Sequence, residues 1–462
     1  MDQRLLKRLF APQPQIPFRD RHVQPYTYGY WLVQPPLIGI PYKYYYTRFE
    51  IAGWENVPTD KPVLFAISHR NAFMDSLAFV NTKGTQVWQL ARGDAFNKPL
   101  MAKLFYFFHM LPLWRERDGV DTKATNQPTF EACADLLMNN AMVGIYPEGN
   151  CVNEDHIRPL KKGICRIAFL TGERSDFTAD VHIIPVGVMY TGAEKFKQWQ
   201  LIHFGKPIML KDYYALYQTN AAQAINVLKD DIEVAMKQTA SHVQHGPYHH
   251  DIVDLSHFYA RRSVLEKGEQ YTPYRKFLAE KEIVPRLEAC NTENHDTLKQ
   301  LVHDFHVYRN KLKQHNFREN TFDTSRHHPF TLTMMVLYFM LMLPFAAFGA
   351  AINFLPYMIP HWFAQRKIKQ RIFISSAQYV IGLIVFPVYY LILFVIVWSI
   401  LNSVLSGLIF LIAFPITGSI AFYYRRDLKK WLSARRFRKL PAAERELLIT
   451  MRDGIYSKLQ SL

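Results

Sequence analysis

Apolar residues fall into short runs through the first half of the chain and into long runs near its end. Phe49-Glu-Ile-Ala, Val63 to Ile67, Met142 to Tyr146 and His182 to Tyr190 are short, β-rich and bounded by turn residues, so they predict strands. Pro128 to Asn140 and Gly163 to Leu170 predict helices between them. The alternation from Arg48 to Pro207 predicts an α/β domain, a mostly parallel sheet flanked by helices. Such domains place chemistry where strands end and loops begin. Pro185, inside an apolar strand, predicts an edge or a bulge there. From about residue 211 the pattern turns helical and charged: Gln218 to Thr239, Asp251 to Arg262 and Arg275 to Leu287 predict a largely solvated helical extension. Thr331 to Leu355, Ser376 to Ile400 and Val404 to Tyr424 are each about long enough to cross a ~30 Å hydrocarbon layer.

The expected divisions are an interfacial lead-in over 1–47, a catalytic domain over 48–210, a helical extension over 211–330, a membrane domain over 331–424 and a basic cytoplasmic tail over 425–462. Within the lead-in, Tyr26 to Tyr46 is rich in aromatics but broken by prolines. It reads either as a headgroup-level segment or as a strand-and-loop lead-in packed on the domain. Met1 to Phe10 is basic and amphipathic and lacks the apolar core of a signal peptide.

Charge narrows the class. The net charge of +16 with 49% hydrophobic residues suits a protein beside an anionic surface. No zinc spacing, RNA-binding aromatic motif or Gly-rich loop is present, so a phospholipid membrane is the expected partner and nucleic acid is not. Arg366, Lys367, Lys369 and Arg371, and the basic residues after Tyr424, predict cytoplasmic segments. If both the Arg366 loop and residues 48–330 are cytoplasmic, Thr331 to Leu355 must re-enter or lie shallow, with Pro344 as the bend. Cys133, Cys151, Cys165 and Cys290 show no paired short spacing and no ligand pattern with His, so thiols in a reducing compartment and no metal are expected.

Candidate chemistry starts at Ser68-His69-Arg-Asn-Ala-Phe-Met-Asp75, directly after an apolar strand. Six residues at about 100° each separate His69 and Asp75 on a regular helix, so they meet only if a loop lies between them. A His oriented by a carboxylate is a general base for a hydroxyl; the bland alternative is a chance pair. Arg115 and Arg117 follow Leu111-Pro112 and suit a phosphate, or form a charged surface turn. Tyr146-Pro-Glu148-Gly149 is expected to expose a carboxylate at the sheet edge, and Lys161 and Lys162 precede a helix N-terminus that attracts phosphate. Leu104 to Phe108 either lines an acyl channel or is an ordinary helix core.

In order, these blocks resemble the PlsC-type glycerolipid acyltransferases. Ser68-His69…Asp75, Leu111-Pro112-Leu-Trp-Arg115, Tyr146-Pro147-Glu148-Gly149 and Ile184-Pro185-Val186 stand where that family carries its His-Asp, Arg, Pro-Glu-Gly and Val-Pro blocks. The lead-in Ile51 to Pro58 matches as well, and the likeness covers roughly residues 48–210. The His-x₅-Asp spacing, one longer than usual, is similar to the fungal-type glycerol-3-phosphate and dihydroxyacetone-phosphate branch, as are Tyr259-Ala-Arg-Arg262 and the C-terminal membrane helices. Asn150 stands where a hydroxyl residue is common. The resemblance implies a membrane enzyme with its catalytic domain on the cytoplasmic face. Its donor would be acyl-CoA or acyl carrier protein, with no cofactor, and its acceptor glycerol 3-phosphate or 1-acylglycerol 3-phosphate. His69 and Asp75 would be catalytic; Arg115, Arg117, Glu148, Gly149, Lys161 and Lys162 would bind the acceptor head. A lipid or thioester hydrolase using the same dyad, or a scaffold that kept the fold, are the other readings.

Overall fold

The structure is a computed structural model, and it describes residues 16–18, 21–23, 28–82, 86–322 and 329–462. The expectation for Met1 to Phe10 lies outside these residues. The chain divides into two compact units, residues 1–242 with 370–376, and residues 243–369 with 377–462.

The first unit is built on an eight-stranded sheet. Its strands are β3 (Arg48–Ala52), β4 (Val63–Ile67), β5 (Val87–Arg92), β6 (Met110–Leu113), β7 (Met142–Ile145), β8 (His182–Tyr190), β9 (Trp199–Phe204) and β10 (Ile208–Met209). A separate hairpin pairs β1 (Ile16–Phe18) with β2 (Arg21–Val23). The sheet order is β3-β9-β8-β4-β7-β5-β6, with β10 beside β8. β3–β9, β4–β7, β4–β8, β5–β6 and β5–β7 are parallel; only β8–β9 and β8–β10 are antiparallel. All five residues of β4 are buried, as a central strand covered on both faces requires.

Proline 185 is not at an edge, because β8 lies between β9 and β4. On the β9 side, β10 pairs with His182 and Ile183, and β9 pairs only from Val186 onward. Pro185 falls in the gap between these two neighbours, where its missing N–H costs no ladder bond.

Tyr28 to Tyr45 is helical rather than strand and loop: α1 (Tyr28–Gln34), a π-turn over Pro35–Gly39, and α2 (Ile40–Tyr45). One face buries Tyr30, Tyr42 and Tyr45, while Tyr28, Leu32, Leu37, Ile40 and Tyr44 face outward. Five further helices complete the frame: α3 (Ala72–Val80), α4 (Pro99–Phe107), α5 (Thr122–Met138), α6 (Gly163–Arg174) and α7 (Tyr214–Thr219). Helix α5 begins six residues earlier than its apolar pattern suggests, because Asp121 caps it by accepting from the N–H groups of Lys123 and Ala124. Helix α8 (Ala221–Thr239) is amphipathic, and its Ala224, Leu228, Ile232 and Met236 stripe at i, i+4 spacing enters the sheet's core. That burial carries the first unit past residue 210.

The second unit has a bundle of α9 (His249–Glu266), α10 (Pro273–Glu293), α11 (His295–Gln314) and α15 (Ala442–Ser461). Leu255, Phe258, Leu287, Leu301, Phe305, Ile455 and Leu459 share its core. Arg262 ties Glu266 to Asp453 and lies over the Tyr456 ring, so in the Tyr259 to Arg262 segment it braces the bundle.

Three helices, α12 (Pro329–Lys367), α13 (Ile374–Leu401) and α14 (Val404–Lys439), are each long and apolar enough to cross a bilayer. Contacts show that α12 is bent. Phe339 meets Tyr424 and Trp431, Gly349 meets Thr417, and Asn353 donates to the Phe414 carbonyl, so this part runs antiparallel to α14. Helix α13 also runs antiparallel to α14, with Phe394 on Gly407 and Tyr390 on Phe414. His361, however, bonds Gln378, twelve residues and about 18 Å of helix before Tyr390, back toward the Tyr424 end. The Phe354 and Trp362 rings are 6.3 Å apart, whereas a straight helix separates residues eight apart by about 12 Å. The chain therefore turns back between them, at Pro356 and Pro360, each of which removes a helix hydrogen bond. Pro344 is not the bend; it lies within the stretch that packs along α14.

Candidate active site

The parallel strands end together, and their carboxyl ends carry the site. Ser68 extends β4 by one residue. Its N–H donates to Val186 O at 2.9 Å, and its hydroxyl accepts from the Val188 N–H at 2.9 Å. The chain then turns away through His69, Arg70 and Asn71, and α3 starts at Ala72 with φ of +43°. Asp75 falls in the first turn of α3, so the loop folds over its carboxylate.

Asp75 is completely buried, and four donors converge on it. Oδ2 faces His69 Nδ1 at 2.9 Å and accepts from the N–H groups of Arg70 at 2.9 Å and Asn71 at 2.8 Å. Oδ1 accepts from the Tyr190 hydroxyl at 2.6 Å. Tyr190 is placed by the overhang of β8 beyond β4. Burial, reinforced by the Asp75 charge, holds its phenol far above the ordinary range, so it stays a donor. With Nδ1 committed to Asp75, Nε2 is the free imidazole nitrogen of a half-buried ring. The Tyr146 ring lies against it at 4.3 Å. Tyr146 is itself fixed through Gln89 at 2.8 Å and Ser76 at 3.0 Å, and burial raises its phenol well above its usual value.

Glu148 does not project from the sheet edge; it is buried. Its Oε1 accepts from the His69 N–H at 2.9 Å, and its Oε2 takes the Arg158 N–H at 3.2 Å and Arg158 Nε at 3.4 Å. The Arg158 guanidinium also donates to Asn150 O. A carboxylate following a buried strand in so tight a turn has unpaired N–H groups within reach, and these hold it inward. Gly149 adopts φ of +67°, a conformation open to glycine, and Lys161 packs against it. The Lys161 N–H donates to Pro147 O at 2.8 Å, and both Lys161 and Lys162 are exposed.

The structure thus brings His69, Asp75, Glu148, Gly149 and Lys161 into one constellation. Arg115 and Arg117 follow β6, three places from β4 in the sheet, roughly 14 Å across the strands. Arg115 is engaged with Asp118, Nε to Oδ2 at 3.1 Å and Nη2 to Oδ1 at 2.8 Å. Those bonds hold Asp118 below the ordinary carboxylate range. Arg117 is exposed, and slight desolvation together with repulsion from Arg115 and Arg92 lowers its pKa.

Several site residues lack a signal at the sequence level. Tyr190 ends a strand whose last residue nothing marked, and Arg158 pairs across a ten-residue loop. Cys151 accepts from the Ala72 N–H at 3.0 Å. Its ligand atom and those of His69 and Asp75 lie within 4.8 Å of one another, a set that sequence spacing does not disclose. Burial first and the Asp75 charge second push the Cys151 thiol up to about 12, so as it stands it is a neutral packing group, not a nucleophile.

Parts of the chain are similar to known proteins. Residues 48–189 match the family model "Acyltransferase". A 107-residue stretch is 29% identical to glycerol-3-phosphate O-acyltransferase 2 of Saccharomyces cerevisiae, covering 23% of this chain and 14% of that protein. A 151-residue stretch is 26% identical to a chloroplastic 1-acyl-sn-glycerol-3-phosphate acyltransferase of Brassica napus, covering 32% of this chain and 39% of the relative. The chain therefore spans well under half the length of these relatives. Among solved structures, the 1-acyl-sn-glycerophosphate acyltransferase PlsC of Thermotoga maritima aligns with a TM-score of 0.33 and 18% identity, over 51% of this chain and 85% of that one. The His-Asp pair lies within the segment that matches the acyltransferase family model.

Proposed function

We propose that this protein transfers a fatty acyl group from an acyl-CoA or acyl carrier protein thioester to a hydroxyl of glycerol 3-phosphate or 1-acylglycerol 3-phosphate, at the cytoplasmic face of a membrane. The observation that carries the reading is the His69–Asp75 pair at 2.9 Å, within the matched segment and at the carboxyl edge of the sheet. His69 Nε2 removes the proton from the acceptor hydroxyl as its oxygen attacks the thioester carbonyl. Asp75 fixes the tautomer and stabilises the imidazolium. Collapse of the tetrahedral intermediate expels the thiolate, which takes up the proton held on His69. The acceptor oxygen is itself the nucleophile, so no acyl-enzyme is needed.

Lys161, Lys162 and Arg117, exposed at the ends of these strands, supply positive charge for the acceptor phosphate, and Arg115 joins them where it can leave Asp118. Glu148 and Gly149 act on the acceptor through the geometry of His69 and Lys161. The outward apolar face of α1 and α2, with Leu100 and Leu104 exposed on α4, suits contact with lipid.

The test is purified protein in detergent with a labelled acyl thioester and a panel of glycerol phosphates and lysolipids, products identified by mass. Acceptor-dependent loss of thioester, abolished in His69→Ala, is expected; acceptor-independent loss would make it a hydrolase. Arg115→Ala should raise the acceptor KM about tenfold or more, a charge-assisted contact being worth about 1.5–3 kcal/mol. Unchanged acceptor saturation would confine Arg115 to its Asp118 pair.

A further inference from the structure

The loop that wraps Asp75 is held from a distant part of the sequence. The Ser375 hydroxyl donates to Asn71 Oδ1 at 2.6 Å, across 304 residues, and Ser375 is completely buried. Asn71 is the hub of the loop. Its N–H donates to Asp75 Oδ2 at 2.8 Å, its Nδ2 donates to Ala193 O at 2.9 Å, and its side chain is buried. The residues around Ser375 belong to the same compact unit as the dyad, and the 3₁₀ turn Arg371–Phe373 packs against α3, the helix that bears Asp75. Arg371 adds an ion pair to Glu194 at 3.1 Å, next to the Ala193 carbonyl that Asn71 grips. That pair is largely exposed and contributes little, so the buried hydroxyl is the main fastening.

We infer that Gln370–Ser376 is a strap on the His-Asp loop and that Ser375 is a positioning residue for the dyad. The inference rests on the proposed role of His69 and Asp75 as the base. Asn71 has one carbonyl oxygen and one amide nitrogen, and both are taken, which leaves a single orientation of its side chain. Losing the Ser375 donor leaves Asn71 Oδ1 buried without a partner. The amide then rotates, Ala193 is released, and the N–H that Asn71 presents to Asp75 drifts. The imidazole follows its carboxylate. Misplacement of the base by about 1 Å costs on the order of 10²-fold in rate. The strap is the first turn of α13 together with the residues just before it, so the geometry of the base depends on a segment covalently continuous with a membrane helix.

The test uses the full chain in detergent, comparing wild type, Ser375→Ala, Asn71→Ala, the double variant and His69→Ala, with rates normalised to folded protein by thermal scan. Ser375→Ala should lower kcat about 10- to 100-fold with donor and acceptor KM unchanged. The double variant should be no slower than Asn71→Ala alone, because both act through one contact. Full kcat per folded molecule, or additive losses in the double variant, would overturn the strap while leaving the base intact. An active His69→Ala would instead overturn the proposed base.

Discussion

Asp75 offers the sharpest separation of fold from chemistry, because the same carboxylate serves both. In Asp75→Ala, the Arg70 and Asn71 N–H groups lose their acceptor inside a buried loop. Each unpaired buried donor costs about 1–3 kcal/mol, so these two alone cost about 2–6 kcal/mol against a typical total of about 5–15 kcal/mol. Asp75→Asn keeps the shape. The carboxamide oxygen takes the place of Oδ2 and accepts the same donors, while its nitrogen faces the Tyr190 hydroxyl, which rotates to accept. Charge-assisted bonds become neutral ones, and the burial penalty of the charge disappears, for a net cost of about 1–2 kcal/mol. For a unit of this size that is a melting shift of roughly 2–8 °C. Activity should fall steeply in Asp75→Asn even though its fold is kept. The asparagine leaves the imidazolium without a counter-charge, and in a Ser-His-Asp triad the same Asp→Asn change lowers kcat by about 10⁴. The assay pairs a thermal scan in detergent with acceptor-dependent thiol release. The expectation is that Asp75→Ala is poorly folded, whereas Asp75→Asn is folded and slower by about 10²–10⁴-fold. An Asp75→Asn protein within about threefold of wild-type turnover, or an Asp75→Ala protein as stable as Asp75→Asn, would refute the reasoning.

Two further outcomes test the surrounding structure. His109 is fully buried between Tyr30 at 4.5 Å and Trp88 at 4.6 Å, with neither ring nitrogen hydrogen-bonded to any described residue, and burial lowers its pKa from 6.5 to about 3. The unfolded chain therefore binds the extra proton first, and stability falls as pH drops from about 6.5 toward about 3, by at most about 1.4 kcal/mol per pH unit. His109→Phe should flatten urea-unfolding stability in that window while matching wild type at about pH 8; equal acid sensitivity would show that other groups set it. In the membrane unit, a Cβ on Gly349 would stand 2.0 Å from Thr417 O, whereas one on Gly382 meets nothing nearer than Phe386 at 3.8 Å. Gly349→Ala should lower thermal stability in detergent by about 1–3 kcal/mol and Gly382→Ala should not; equal effects would dismiss the close crossing of α12 and α14.

The features legible before folding are those that short-range pattern encodes. The apolar runs Val63–Ile67 and His182–Tyr190 fold as buried strands of a mostly parallel sheet, because burial on both faces demands continuous apolar side chains. The six-residue spacing of His69 and Asp75 required a loop between them, and the structure has one. The long C-terminal runs are membrane-length helices because only apolar length is needed to mark them. Long-range choices were invisible. Whether Glu148 turns outward or inward depends on the His69 N–H, 79 residues away. The tolerance of Pro185 in a central strand depends on where β10 stops and β9 starts. The Tyr28–Tyr45 segment became helical with one face buried on the domain, although its prolines fitted a strand-and-loop reading. Tyr190, Arg158 and Ser375 reach the dyad loop only through the sheet order and chain return. Donors and acceptors find partners by proximity in space, and a buried polar group takes whichever partner the tertiary fold delivers.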